Sequence, residues 1–283
     1  MTTQLQRATR FQALHDPASP LALANVWDVA SARVVAAAGA PAIATTSAGV
    51  AWGLGAADGN LVDRGLLLEQ LARIVAAVDL PVTADIESGF GATPGQVATT
   101  VARVLEAGAV GVNIEDAHPE PASPDQPLRP VAEQAARLAA ARSAANHARI
   151  PLYINARIDV FLRRAGEESG RLAETLDRAR AYLDAGASGV FVLGVGDPET
   201  IAALTAGIDA PVNVGGAPGG LPVAELGRLG VARVSMGSGI AEAAYALVDR
   251  AARELLETGT YESVRGALDY AEINGLMKAK GGE

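Results

Sequence analysis

The 283-residue chain has no cysteine, two lysines, three histidines and only 4% aromatic residues. Each shortage closes a class of chemistry. Without cysteine there can be no disulfide, no thiolate nucleophile and no cysteine-ligated zinc or iron–sulfur site. Lys278 and Lys280 both fall in the last six residues. That excludes a Schiff-base lysine in a desolvated pocket and the lysine of a phosphate-binding P-loop. His15, His118 and His147 have no paired spacing on one helix. A bound metal would therefore sit among carboxylates, which favours Mg2+, with Mn2+ as the second choice, over zinc. The net charge of -9 argues against nucleic acid and anionic membrane as partners. No apolar run approaches the roughly 20 residues of a membrane span. Residues 1–10 are polar and lack the apolar core of a signal peptide, so the expected location is the cytoplasm.

Hydrophobic residues make up 49% of the chain, enough for a sizeable core built from Ala, Val, Leu and Ile. They are arranged as a repeat: a short apolar run, a polar loop, an Ala/Leu-rich segment of helical period, then a stop containing Gly39, Gly108, Gly186 or Gly230. The apolar runs number eight: 21–25, 42–46, 82–85, 111–115, 152–157, 189–193, 212–214 and 233–236. Pro81, Pro151 and Pro211 open three of them, as strand edges tolerate. Apolar strands alternating with amphipathic helices predict a parallel sheet buried on both faces. Eight units in about 240 residues predict an α/β fold, a (β/α)8 TIM-type barrel, with an open doubly wound sheet as the structural alternative. We read residues 1–283 as a single barrel domain in which 259–283 form a C-terminal helical extension. Helices are expected over 241–257 and 261–280, the latter packed on its own barrel or exchanged with a partner subunit. Five prolines within 119–130, between the fourth strand and its helix, suggest a lid loop.

Chemistry in such barrels sits at the C-terminal ends of the strands. Asp85, Glu87 and Glu115 fall there, on two neighbouring strands. Residues two apart on a strand share a face, so Asp85 and Glu87 are both expected at the mouth. Crowded carboxylates repel and raise one another's pKa, and a hard cation relieves that. The alternative is pairing with Arg157 or capping of the following helices. Arg157 is a candidate clamp for a substrate carboxylate, unless Asp159 or the acidic cluster takes it. Ser47-Ala48-Gly49 offers backbone N–H groups for an anion or oxyanion. Gly215-Gly216 and Gly237-Ser238-Gly239 resemble a barrel phosphate site, which keeps a phosphorylated substrate open.

Over nearly its whole length the chain resembles the isocitrate lyase/phosphoenolpyruvate mutase superfamily. The carrying segments are Thr45-Thr46-Ser47-Ala48-Gly49-Val50-Ala51 with Asp58, Asp85-Ile86-Glu87-Ser88-Gly89-Phe90-Gly91, Val112-Asn113-Ile114-Glu115-Asp116, Ile154-Asn155-Ala156-Arg157-Ile158-Asp159 and Pro211-Val212-Asn213. The resemblance implies a barrel that is a homodimer or homotetramer with an exchanged C-terminal helix, and a magnesium ion. It implies Asp85, Glu87, Glu115 and Asp58 around that ion, some acting through water. It also implies Thr46, Ser47 and Ala48 as the turn that binds the substrate carboxylate and enolate oxygen, and Arg157 and Asn213 as further substrate contacts. Lyases of the family carry a Lys-Lys-Cys-Gly-type lid motif after the fourth-strand Glu. This chain has His118-Pro119-Glu120 there, and it has Leu193 where the family has a Glu on strand six.

The expected activity is cleavage of a C–C bond in a small 2-oxo or 2-hydroxy (di)carboxylic acid, leaving an enolate held by magnesium and the Ser47–Ala48 turn. Glu115 and Arg157 are expected in the chemistry, and His118 or Glu120 as proton donor. Oxaloacetate-type hydrolysis or decarboxylation, P–C chemistry on phosphonopyruvate or phosphoenolpyruvate, and non-catalytic binding of a 2-oxo acid are the alternatives.

Overall fold

A computed structural model describes residues 2–118 and 126–278. The chain opens with α1 (Gln4–Ala13), β1 (Leu21–Leu23), β2 (Asn25–Val26), α2 (Val29–Ala37), β3 (Ile43–Thr45), α3 (Ser47–Gly53) and α4 (Arg64–Ala77). It continues with β4 (Val82–Asp85), α5 (Pro94–Glu106), β5 (Gly111–Glu115), α6 (Val131–Ala148), β6 (Tyr153–Ile158) and α7 (Arg171–Asp184). The last part holds β7 (Gly189–Val192), α8 (Pro198–Gly207), β8 (Val212–Gly215), α9 (Val223–Arg228), β9 (Arg233–Ser235), α10 (Gly239–Thr258) and α11 (Tyr270–Lys278). Among the described residues, nine parallel strands form one sheet in the order β1-β9-β8-β7-β6-β5-β4-β3-β2. With helices between the strands, this is the α/β barrel that the repeat predicts.

The count is nine rather than eight because the first apolar run is broken at Ala24. Leu21–Leu23 pairs with β9, and Asn25–Val26 pairs with β3. One run thus supplies both joins of a nearly closed ring, its lower part held by the last strand and its upper part by the second. The helix stops behave as their glycines predict: Gly39, Gly108, Gly186 and Gly230 take φ of 91°, 91°, 101° and 88°, the left-handed conformation that ends a helix.

Packing is layered. A large apolar cluster, including Val26, Ile43, Ile74, Val101, Ile114, Leu138 and Ile154, fills the space between strands and helices. A smaller one closes the barrel floor. There α1 inserts Ala8 and Phe11 among Leu21, Leu23, Ala42, Ala44 and Tyr153. Phe11 meets Tyr153 edge-on at 5.6 Å between ring centroids, and His15 stacks on Tyr153 at 3.8 Å. Burial holds the His15 imidazole down to about 3, so it packs as a neutral ring. Above this plug the bore turns polar: Asn113, Asn155, Asn213, Arg233 and Ser235 are all buried.

The tail differs from the sequence expectation. Instead of one helix over 261–280, a 3-10 turn at Glu262–Val264 precedes α11. Gly266 between them takes φ of 81°, where a right-handed helix cannot continue. In this chain α11 lies against α2, where Arg33 Nη1 donates to the Leu276 carbonyl at 2.6 Å.

Phe11 is fully buried in the floor plug, so Phe11→Ala should destabilise the fold by about 3–5 kcal/mol. A urea unfolding titration checks this; a shift under 1 kcal/mol would mean that α1 does not seal the barrel.

Candidate active site

The acidic segment after β4 leaves strand geometry at once. Asp85 is the last residue of β4, and Glu87 takes φ of 51°, a left-handed conformation uncommon for any residue but glycine. The period-two argument for placing Asp85 and Glu87 on one face therefore does not apply, because the strand ends between them. The Asp85 carboxylate instead turns onto the bend, its Oδ1 accepting from the Glu87 N–H at 3.0 Å. A buried guanidinium fixes this bend. Arg137, fully buried on α6, donates to the carbonyls of Ser88, Gly91 and Ala92.

Each acidic side chain has a distinct set of partners. Asp85 Oδ2 accepts from Asn113 Nδ2 at 3.4 Å, and the Asp85 N–H donates to Thr45 Oγ1 at 2.9 Å. Glu87 Oε2 accepts from the Asn60 N–H. Its Oε1 is buried with no hydrogen-bond partner, an arrangement that costs free energy unless a cation or donor occupies it. Glu115 Oε2 is ion-paired with Arg157 Nη1 at 2.8 Å. The remaining edge of Arg157 faces Asp159: Nε to Oδ1 at 2.7 Å and Nη2 to Oδ2 at 2.8 Å. Arg157 thus bridges two carboxylates, and a substrate carboxylate reaching it would compete with Glu115.

Burial is the largest cause of the shifts that follow. It raises Asp85 above the usual carboxylate range, with the charge of Asp58 adding to the effect. Burial, then the charges of Asp58 and Asp85, push Glu87 up to about 7. Glu115 rises to about 8, because desolvation and the charges of Asp159, Asp85 and Glu87 outweigh Arg157. The charges of Asp58 and Asp85 thus bear on Glu87, and those of Asp85 and Glu87 on Glu115; Asp58 itself is exposed. Among the described residues no three His, Asp or Glu groups form a ligand cage. Mg2+ commonly takes one or two carboxylates and keeps several waters, so a full cage is not required. The orphaned Glu87 Oε1 and the surplus of buried negative charge fit a hard dication, which Asp85 and Glu87 would hold.

The other expected residues are placed as follows. Thr46 caps α3, its side chain accepting from the Gly49 N–H at 3.4 Å. Ser47 and Ala48 form the first turn of that helix rather than a free turn, and first-turn N–H groups have no intrahelical acceptor. Asn213 is 2% exposed and bonded to Ser235 Oγ at 3.2 Å. His118 lies where Ala117 pairs with Leu128. It lines a cavity of about 690 Å3 with Arg129, Glu133, Glu174 and Arg178, whose walls include none of the four acidic residues. Glu120 lies outside the described residues.

Sequence reasoning passed over three supporting residues. Asp116, fully buried, accepts from the Asp159 N–H at 2.9 Å, Arg178 Nη1 at 3.1 Å and Tyr182 Oη at 3.0 Å. It so ties the end of β6 to α7 behind Arg157. Asn60 holds Glu87, and Asn113 holds Asp85. Asp116 and Asn113 flank Glu115 in the motif, a signal that was present; Asn60 sits in a loop and had none.

Comparison with known proteins agrees with the geometry. A family model described as phosphoenolpyruvate phosphomutase matches residues 11–256. An uncharacterised Mycobacterium tuberculosis protein is 38% identical over 268 residues, covering 94% of this chain and 95% of that one. An oxaloacetate decarboxylase of a Bradyrhizobium species is 30% identical over 231 residues, covering 80% of this chain and 74% of its own. A crystal structure from Burkholderia cenocepacia, described only provisionally as a lyase/mutase, superposes with a TM-score of 0.89 at 40% identity, covering 98% of each chain.

With Glu87 raised to about 7 and Glu115 to about 8 from an ordinary 4.5, the folded protein retains protons that the unfolded chain has released. Its stability therefore falls as pH rises from about 4.5 to about 8. Calorimetry of chelator-treated protein should show a melting temperature that declines across this window. Added Mg2+ should raise it more at pH 8 than at pH 5, and Glu115→Gln should flatten the decline. A profile that rises with pH would contradict the assignment.

Proposed function

The chain belongs to the phosphoenolpyruvate phosphomutase family, and on that premise we propose that it is a Mg2+-dependent lyase. Its substrate is a small 2-oxo or 2-hydroxy acid, and it works through an enolate, most simply by breaking a C–C bond. Members of the superfamily are lyases and mutases acting on small carboxylic acids. The observation that carries the finer reading is the surplus of buried carboxylate around Arg157, with Glu87 Oε1 left unpartnered.

Asp85 and Glu87 are the residues that would hold the ion, with Glu115 and Asp58 acting through water. The bound ion supplies Lewis acidity to a substrate carbonyl oxygen. The protein does the rest. Asn113 and the Glu87 N–H fix the rotamer of Asp85, so the carboxylate need not reorganise during reaction. The first-turn N–H groups of Ser47 and Ala48, capped by Thr46, stabilise negative charge growing on the enolate oxygen. Arg157, anchored by Asp159 and Glu115, attracts the substrate carboxylate, and Asn213, in register beyond Phe191, is the further substrate contact. Glu115, raised to about 8, can hold or release a proton near neutral pH. His118, at the root of the segment after β5, is the further candidate for proton transfer. In a 2-oxo acid with a hydroxyl on C4, the C3–C4 bond would break with its electron pair entering the C2–C3 enolate, the hydroxyl proton passing to a carboxylate such as Glu115 and the far fragment leaving as a carbonyl compound; a proton added to C3 completes the turnover.

The whole chain acts as one barrel domain in this reading. Leu247, Val248, Leu255 and Leu256 are exposed on α10 and supply an apolar face for a second copy, consistent with a homodimer or homotetramer. A cytoplasmic setting suits an acidic chain with no helix long and apolar enough to cross a membrane among the described residues.

Asp85→Ala should remove Mg2+ binding measured by titration calorimetry and lower Mg2+-dependent turnover of a 2-oxo acid roughly 10^3-fold or more, the several kcal/mol that such an ion contributes. Retained Mg2+ affinity and rate in this variant would end the metal assignment.

A further inference from the structure

The charged groups of the barrel mouth are confined to one side. Asp85, Glu115 and Arg157 stand on the adjacent strands β4, β5 and β6. The other side, from β7 and β8, carries no charged residue. Phe191 is in register with Arg157 and with Asn213, and strand alternation carries that inward face on to Leu193 and Gly215. Phe191 is 4% exposed. Leu193 is half-buried, and its Cδ1 lies 2.8 Å from where a side chain on Gly215 would begin. The leucine thus fills the space that glycine leaves at the rim. Neither 189–195 nor 212–218 contains a charged residue.

No arginine stands on this wall. Arg157 is held by Glu115 and Asp159, and Arg178 by Asp116 and Glu174. Arg233 is fully buried in the bore against Ser235 and Asn113, with its Nη1 unpartnered there. Residues 119–125 contain no Lys, Arg or His. Arg163 approaches the rim, its Nε 3.9 Å from Asp159 Oδ2. A second substrate carboxylate on the β7–β8 side would be desolvated against Leu193 and Phe191 while facing a surplus of like charge, which is strongly unfavourable. An alkyl group there would bury the remaining exposed area of Leu193.

We propose that the substrate carries a single carboxylate: a 2-oxo acid whose far end is an alkyl group lying on Phe191 and Leu193. This rests on the 2-oxo acid reading above, and it separates the chain from relatives named for oxaloacetate. For a 4-hydroxy-2-oxo acid of this class, the C3–C4 bond breaks and its electron pair enters the C2–C3 enolate. The hydroxyl proton passes to a side-chain carboxylate, and the far end departs as an aldehyde. A proton delivered to C3 then gives pyruvate.

Calorimetric titration in the presence of Mg2+ should show 2-oxohexanoate binding at least tenfold more tightly than 2-oxoglutarate. Pyruvate release should be faster from 4-hydroxy-2-oxohexanoate than from 4-hydroxy-2-oxoglutarate. Leu193→Lys should narrow or reverse the binding ratio, and Leu193→Ala should weaken 2-oxohexanoate alone, with folding of each variant verified by its melting curve. If wild-type protein binds 2-oxoglutarate as tightly as 2-oxohexanoate, the proposal is overturned, and loss of that binding in Arg163→Ala would identify Arg163 as the clamp. Pyruvate, which has the shared head group and no far end, separates the two failures. If pyruvate binds but the dicarboxylate is preferred, only the apolar far end is wrong. If pyruvate does not bind with Mg2+ present, the 2-oxo acid reading falls as well.

Discussion

Arg157 lies between Glu115 and Asp159 in a site that holds more carboxylate than it has positive charge to balance. One guanidinium pairs with both residues and faces Asp85 as well, and the charges of Asp85 and the exposed Asp58 bear in turn on Glu87. Burial makes this imbalance consequential, because desolvation is the largest cause of the upward shifts at Asp85, Glu87 and Glu115. In water the same groups would be screened and would say little about function. In the barrel mouth they must protonate or bind a cation.

The rest of the fold keeps those groups in place. The apolar plug of α1 closes the floor, so the bore opens at one end. The buried amides of Asn113 and Asn155 bond to one another at 2.9 Å and carry the polar interior up to Asp85. Arg137 pins the bend through Glu87, and the Asp116–Arg178–Tyr182 network anchors Asp159 behind Arg157. The left-handed Glu87 is backbone strain sustained by the surrounding hydrogen bonds. The β7–β8 wall carries no charged residue, and in the proposal above it is where the far end of the substrate lies.

Periodicity alone carried the architecture: eight apolar runs, four glycine stops and three strand-opening prolines each coincide with an element end or start. The strand-end acids and Arg157 were visible because barrel chemistry sits at strand ends. The capping by Asp28, Asp63 and Asp197 was equally local. What depended on the ring closing was not visible. The break at Ala24 arises because β1 and β2 pair with strands more than 200 residues and about 20 residues away in sequence, respectively.

Sequence by itself determined the strand–helix order, the absence of cysteine and internal lysine chemistry, and which acids could gather. Tertiary structure decided which atoms those acids face: Glu115 on Arg157, Glu87 with one oxygen on Asn60 and one unpartnered, and Leu193 folded over Gly215. The reason is that backbone period and composition are properties of short segments. Desolvation and ion pairing depend on groups that only the closed barrel brings within a few ångströms of each other.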